Sequence, residues 1–471
     1  MVRCRIKFLL WIFSVTVGVG MFIFLLLDNQ TKILPTNLFS VLNWVNQESS
    51  LSANWPSETD KILAKLETEE PDWQEITEAE VFHNETYKPR FFVYSAYVDF
   101  YENRDVIRLI AVTPTFAKEE FFAHLFDDNL NPLDTYICTI SSTRGYEQGE
   151  KYSAGFFLCR QRQSSGPYAR GNFLPAVRHV SVTPFPDAPS LDRDGHRLFS
   201  NLLRLSQPIG TDVEEPHKFA VCVPPAYDNF DNVVLFLEWL EFYKMMGVGH
   251  FTFYNVSTDP SISCVMNSAS FNAETPATIL KWTFPIPSRI NSQLAQESDC
   301  AFRYRGVAKH IIGVDYDEFF VPNYTLARNY AELINALDTA WASEPRDGSL
   351  ASYQFQSAFF DPDFSHFPAS KVETLPRVKL DQLELDDMVL YRYVTRAEAL
   401  FPYETRSKLI TKPRKVIEPR LSWVGDGMQY PIQPEFAYIH HFQRFYMCEN
   451  NCTHISKITD FKGHYYATEV L

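Results

Sequence analysis

Between Phe219 and Gln356, short apolar runs alternate with stretches of helical spacing, and this alternation leaves few folds open to the chain. Phe219-Ala220-Val221-Cys222-Val223 reads as a strand buried on both faces, ended by Pro224-Pro225. Next, Val233, Phe236, Leu237, Leu240 and Tyr243 recur at helical spacing and make one apolar face. Asp228 or Asp231 is placed to cap that helix and Gly247 to end it. A strand over 250–254 follows, then a helix over 262–271, a strand over 278–284 and a helix over 292–309. The strand 310–314, a helix over 326–342 and a strand over 351–356 complete the series. Strands alternating with helices imply right-handed crossovers and a mainly parallel sheet.

One of these strands, starting at His310, stops at three carboxylates, Asp315, Asp317 and Glu318. Charge in an apolar run is costly unless it is paired or bound to a metal. At the carboxyl edge of an open α/β sheet it would instead face a ligand crevice. Two carboxylates spaced Asp-x-Asp suit a hard divalent cation, since Mg²⁺ commonly takes one or two carboxylates plus substrate phosphates. Spacing alone fits a solvated acidic loop equally well. No Gly-x-Gly-x-x-Gly follows the first strand, and neither a Walker loop nor a Gly-x-Ser-x-Gly is present. Dinucleotide binding, P-loop chemistry and the α/β-hydrolase reaction are thereby disfavoured.

At 471 residues the chain has room for two or three domains. Residues 8–27 form an apolar run long enough to span a bilayer, preceded by Arg3, Arg5 and Lys7 and followed by Asp28. That charge order predicts a cytoplasmic tail (1–7) and an uncleaved anchor (8–27), because no Ala-x-Ala site follows. Residues 28–85 read as a polar, acidic stem. Residues 86–205 are rich in aromatic and β-branched runs separated by Gly, Pro and Asn, and predict a small β-rich domain. Residues 215–471 hold the strand–helix series. A net charge of −15 argues against a nucleic-acid partner. None of the eight cysteines forms a Cys-x-x-Cys, so a zinc ribbon is not expected. Cys138 and Cys159 lie on neighbouring strands where they could pair, and Cys448 and Cys452 could form a local disulfide. Sequons at Asn84, Asn255, Asn323 and Asn451 agree with a lumenal chain.

Several stretches occur in an order that resembles glycosyltransferase family 92. They are Ser95-Ala96-Tyr97-Val98-Asp99, Val221-Cys222-Val223-Pro224-Pro225, the helix ending Glu241 to Phe251, the run Gln293 to Arg303, and Asp315-Tyr316-Asp317-Glu318-Phe319. Lys408-Leu409-Ile410-Thr411-Lys412-Pro413 and His440-His441-Phe442 continue the series, so the resemblance covers about 88–445. It implies an α/β nucleotide-sugar transferase fold with a single Rossmann-like sheet. It also implies a single-pass type II Golgi enzyme with its catalytic part in the lumen. The expected reaction is inverting transfer of galactose from UDP-galactose to a glycan or glycoprotein, fucose of N-glycan cores being one acceptor, with Mn²⁺ as cofactor. By resemblance Asp317 leads as metal ligand, Asp315 meets the metal or the ribose, and His441, rather than His440, is a further ligand. Glu318 is expected to support a nearby base. Gln293 and Arg303 share one helix face with Gln296 and Cys300 and would lie near the nucleotide sugar, and Lys408 would meet the diphosphate. A polar helix side and a local ion pair are the plainer readings of these groups.

Ser422, Asn291-Ser292 and Gln443 stand where the family commonly has a His, a Gly and an Arg. The general base stays open among Asp361, Asp363, Glu404 and Asp426. The alternative function is a catalytically silent lumenal glycan-binding or adhesion protein on the same fold.

Overall fold

In a computed structural model of the protein, the described residues are 72–77, 89–101, 104–143, 149–161, 176–190, 199–207, 213–227, 230–343, 349–362, 364, 388–425, 427–443 and 455–470. The anchor run 8–27 and nearly all of the stem lie outside them, as do Asn84, Asp228, Asp363, Asp426, Cys448, Asn451 and Cys452. The fold is mixed α/β. Among the described residues, no helix is long and apolar enough to cross a membrane.

The first sheet contains β1 (Gln74–Glu75), β2 (Phe92–Tyr101), β3 (Arg104–Pro114), β4 (Phe121–Phe126), β5 (Pro132–Ser142), β6 (Tyr152–Gln161), β7 (His179–Thr183) and β8 (Leu203–Ser206). Their order is β1-β2-β3-β6-β5-β4-β7-β8. β8 returns to pair with β2 in parallel, Ala96 opposite Leu205, and so closes the sheet into a barrel. Closure leaves no long free edge on these strands. Val93, Leu109, Ala111, Phe121, Leu125, Phe157 and Val180 fill its interior. Cys138 and Cys159 sit directly opposite each other on β5 and β6 and form a disulfide.

The second part carries β9 (His217–Val223), β10 (His250–Asn255), β11 (Ala277–Lys281), β12 (Ala308–Gly313), β13 (Glu318–Pro322), β14 (Leu350–Phe355), β15 (Ser357–Phe359), β16 (Thr395–Ala397), β17 (Lys408–Thr411), β18 (Met428–Pro431), β19 (Ala437–His441) and β20 (Lys457–Thr459). Seven of these form a sheet in the order β11-β10-β9-β12-β17-β14-β18. β17 runs antiparallel to both its neighbours, and the other pairings in that sheet are parallel. A three-stranded sheet, β13-β19-β15, continues from it, and β16 pairs with β20.

The helix Val233–Met245 is capped by Asn232, whose side chain accepts from the Leu235 amide, and not by an aspartate. It ends at Gly247, whose φ of +94° is open to glycine at no steric cost. Its buried face is Phe236, Glu238, Trp239, Leu240, Phe242 and Tyr243; Leu237, expected inside, is exposed. The single helix expected over 262–271 is two, Pro260–Met266 and Ala269–Glu274. The Ser268 hydroxyl restarts the helix by accepting the Phe271 amide. The next helix is Arg289–Arg303, shorter than expected because the chain turns through Tyr304 and Gly306, the latter at φ +79°. Tyr330–Ala342 packs under the sheet, and Val389–Arg392 and Lys462–Val470 complete the helices.

The helix Arg289–Arg303 joins the two sheets. On one side Asn291 accepts the Ala154 amide and donates to the Tyr152 carbonyl, extending the edge of β6. One turn before its end, the buried Asp299 accepts hydrogen bonds from Ser95 and Tyr97 of β2 and from Tyr254 of β10, each at 2.6 Å. On its sheet side Cys300 is disulfide-bonded to Cys222 of β9. Tyr94, Tyr97 and Phe156 of the barrel share one apolar cluster with Leu294, Phe302, Ala220 and Ile311.

Candidate active site

The site is built where β12 ends. Asp315 and Asp317 flank Tyr316, whose ring turns inward and stacks on Phe230 at 4.6 Å, so the two carboxylates are presented outward as a pair. The backbone here is held from below. Trp239 Nε1 donates to the Asp315 carbonyl at 3.0 Å, and Tyr243 donates to the Glu318 carbonyl at 3.0 Å. The Phe442 amide donates to the Asp317 carbonyl at 2.9 Å and so ties the end of β19 to the loop.

Strand register brings the remaining groups in. In β17, Ile410 lies opposite Ile312, so Lys408 reaches the carboxyl end of β12. Its ammonium bridges Asp315 at 2.9 Å and Glu318 at 2.8 Å. Glu318 also accepts the Asp315 amide at 3.0 Å. In β13 and β15, Glu318 and Phe359 both pair with His441. His441 Nε2 stands 3.4 Å from Asp317 Oδ2, and its Nδ1 stands 3.5 Å from Glu318 Oε1.

The electrostatics follow from this packing. Burial works against ionising Asp315, but the Lys408 ammonium outweighs it and holds the carboxyl below its usual range. Glu318 is deeper, and burial lifts its carboxyl despite Lys408. Lys408 in turn is held well above its ordinary value by the two carboxylates, against the pull of burial. Burial disfavours His441⁺, yet Asp317 and Glu318 raise its imidazole above the ordinary value. His440, the neighbour, points the other way. It is buried between Phe360 and Tyr438, and burial pushes it down to about 3.

Glu297 was not among the residues singled out from sequence. It lies one helical turn after Gln293 and above Gly313, where an added Cβ would come within 2.6 Å of its carboxylate. Burial pushes its carboxyl up to about 7; Lys408 opposes this, and Asp315 and Glu318 reinforce it. The sequence signal was a glutamate at i+4 from Gln293 facing a glycine at a strand end. Gln293 itself is half-buried on the same helix face. Arg303 is not brought to the carboxylates. Its guanidinium is buried and forks onto Asp299 at 3.0 and 3.2 Å, at the junction with the barrel. Of the open base candidates, Asp361 is buried just past β15 and Glu404 is exposed in the loop before β17. Ser422 is buried and its carbonyl accepts from Gln354.

The donor set suits a hard cation. Asp317, in the turn between β12 and β13, converges with His441 Nε2 at the end of β19, while the other ring nitrogen faces Glu318. At 3.5 Å this is a charge contact rather than a hydrogen bond, since Nδ1 has no hydrogen-bond partner among the described residues. Among the described residues no three such side chains meet at one point. A cation here would therefore take two protein donors and complete its shell with phosphate oxygens and water. Four carboxylates, Glu297, Asp315, Asp317 and Glu318, share this corner with Lys408.

Comparison with known proteins gives three findings. A family model described as Glycosyltransferase family 92 matches residues 217–469, just over half of the chain, and spans the whole carboxylate corner. The beta-1,4-galactosyltransferase galt-1 of Caenorhabditis elegans is 26% identical over 115 residues, 24% of this chain and 27% of that protein. The match thus spans about a quarter of the relative's length. Among solved structures, residues 1–349 of S. aureus TarS superpose with a TM-score of 0.23 at 13% identity, covering 41% of this chain and 47% of that one. A UDP-glucose pyrophosphorylase from Acinetobacter baumanii gives 0.21 at 8% identity, over 55% and 92%. Superpositions this loose establish no shared fold.

Proposed function

The chain belongs to glycosyltransferase family 92, and on that premise we propose that it moves a hexose, galactose first among candidates, from a UDP-sugar to a glycan hydroxyl with inversion. The observation that carries this reading is the convergence of Asp317 and His441, backed by Glu318, at the carboxyl edge of the parallel strands. Ligands bind at that edge in open α/β sheets. The fold that goes with this reading is a nucleotide-sugar transferase sheet over 215–471, preceded by the barrel as an accessory domain over 86–205. The run 8–27 anchors the enzyme as a type II Golgi protein with the catalytic part in the lumen.

In the transfer, the acceptor oxygen forms a bond to the sugar's anomeric carbon as the bond from that carbon to the diphosphate oxygen breaks. UDP departs with the electron pair, and the acceptor proton passes to a carboxylate. Asp317 and His441 would hold the divalent cation, with Asp315 beside them. Mn²⁺ or Mg²⁺ so bound supplies Lewis-acid stabilisation of the departing diphosphate. Lys408 favours the ionised form of Asp315 and fixes both Asp315 and Glu318 in place. Glu318 lies on the Nδ1 side of the imidazole and Asp317 on the Nε2 side. Gln293 and Glu297 line the helix side of the same corner. The expected acceptor is a glycan or glycoprotein, with fucose of N-glycan cores to be tried first.

The internal neutralisation of Asp315 and Glu318 by Lys408 favours a second reading, a glycan-binding protein without turnover. A donor assay separates the two. Release or transfer of sugar from UDP-galactose with Mn²⁺, lost with EDTA and in Asp317→Ala, is the expected result. Wild-type protein that binds no nucleotide sugar at any metal concentration would decide for the binding protein.

A further inference from the structure

We infer that Arg406 is a second cation of the donor site and takes the diphosphate of the nucleotide sugar through its guanidinium; this rests on the donor reading above. The residue stands two positions before Lys408, in the loop that enters β17 at the edge where Asp315 and Asp317 lie. It is exposed, and among the described residues its guanidinium meets no carboxylate. It lies instead over two rings, 5.3 Å from the centre of Phe359 and 5.7 Å from that of Phe401. Phe359 packs on the His441 imidazole at 4.5 Å, so the stack runs from Arg406 to the candidate cation site in two steps.

The loop is held rather than loose. Arg406 adopts φ +57° and Glu404 φ +67°, a region costly to residues with a Cβ, at about 1–2 kcal/mol each. Such conformations persist only where surroundings impose them, and they cluster at functional sites. Here Ser357 Oγ donates to the Arg406 carbonyl at 2.5 Å, the Phe401 amide donates to the Ser357 carbonyl, and Tyr403 donates to the Ile432 carbonyl at 2.8 Å. The Glu404 amide donates to Ser407 Oγ. The strain therefore serves to fix where Arg406 stands.

Charge names the ligand. Lys408 is committed to Asp315 and Glu318, so it cannot offset an incoming diphosphate. A guanidinium whose fork meets no carboxylate among the described residues matches phosphate oxygens two at a time. A neutral acceptor sugar would gain from the rings but has no need of the cation.

The test is calorimetric titration of the full chain with UDP and with uridine, in Mn²⁺, on wild type, Arg406→Gly and Arg406→Lys. Glycine relieves the left-handed backbone, so Arg406→Gly should melt no lower than wild type. The expected result is UDP binding weakened about tenfold or more, uridine binding unchanged, and a smaller loss in Arg406→Lys. UDP affinity equal to wild type in Arg406→Gly overturns the inference and leaves the donor reading intact. Equal losses for UDP and uridine, with a lower melting temperature, also overturn it, because they mark a structural role. Wild-type protein that binds no UDP overturns both.

Discussion

Lys408 shows how much of this site depends on a single ion. It supplies the positive charge that both Asp315 and the buried Glu318 contact. Lys408→Met should therefore cost about 3–5 kcal/mol, since it strands the buried Glu318 carboxylate without its counter-ion, while Asp315 keeps contact with water. Urea unfolding of the variant is the check, and wild-type stability would mean the pair is not formed. Gly313 makes a second residue-level case. Alanine there must displace the Glu297 carboxylate, so Gly313→Ala alone should destabilise, and Gly313→Ala with Glu297→Ala should destabilise by less than the sum. A double-mutant cycle should show a coupling of about 1 kcal/mol. Motif order alone suggests that Asp315, Asp317, Lys408 and His441 belong to one corner, where the structure brings them together, but it gives Lys408 to the diphosphate and the structure pairs it with Asp315 and Glu318. Glu297 was not legible, because a helical glutamate near a glutamine reads as a polar face until the strand beneath it is known to lack a side chain. Arg406 was missed for a related reason: its left-handed backbone and its ring partners leave no pattern in the sequence.

At the scale of elements, the helix Arg289–Arg303 decides how the barrel meets the parallel strands. From sequence its polar face reads either as a ligand-facing side, with Arg303 near the nucleotide sugar, or as a plain polar helix side. The structure instead gives Asp299 three hydroxyl donors from two different sheets and spends Arg303 on balancing its charge. Those hydrogen bonds and the nearby Arg303 hold Asp299 below the usual carboxylate range although it is buried. Asp299→Ala should leave Arg303 buried without a counter-ion and cost about 3–5 kcal/mol. Thermal melting should register this, and limited proteolysis should then cut between the two sheets. A variant that melts like wild type would deny this junction its role. The helix boundaries themselves were largely legible. Their errors came from side-chain caps: Asn232 and Ser268 set starts that apolar spacing does not mark.

For the whole molecule, pH dependence arises from groups buried in opposite senses. Glu238, inside the helix Val233–Met245, accepts the Val389 and Leu390 amides, and burial pushes its carboxyl up to about 7. Unfolded, it would ionise near 4.5, so its contribution is full below that pH and is lost as pH rises through 7. The stability of wild type relative to Glu238→Gln should therefore fall between pH 4.5 and 7. His310 behaves oppositely. Burial pushes its imidazole down to about 4, so its contribution is full above 6.5 and is lost as pH falls toward 4. Denaturant midpoints for wild type, Glu238→Gln and His310→Gln across pH 4–8 would test both signs. A difference that stays flat with pH would show that Glu238 ionises as freely in the fold as in the unfolded chain.

Sequence alone determined the strand–helix series, its parallel character, the family and the carboxylate pair at a strand end. The strand–helix series and the carboxylate pair are local patterns that periodicity and spacing record, whereas the family is read from the resemblance of motifs in their order. Only the tertiary structure decided that β8 closes on β2, that one strand runs against its neighbours, and that Cys300 pairs with Cys222. It also decided which charges neutralise each other and which stay available. That difference is physical: the energy of a buried charge depends on neighbours contributed by distant strands, and strand register fixes those neighbours. Asp317 meets His441, and Arg303 meets Asp299, for that reason.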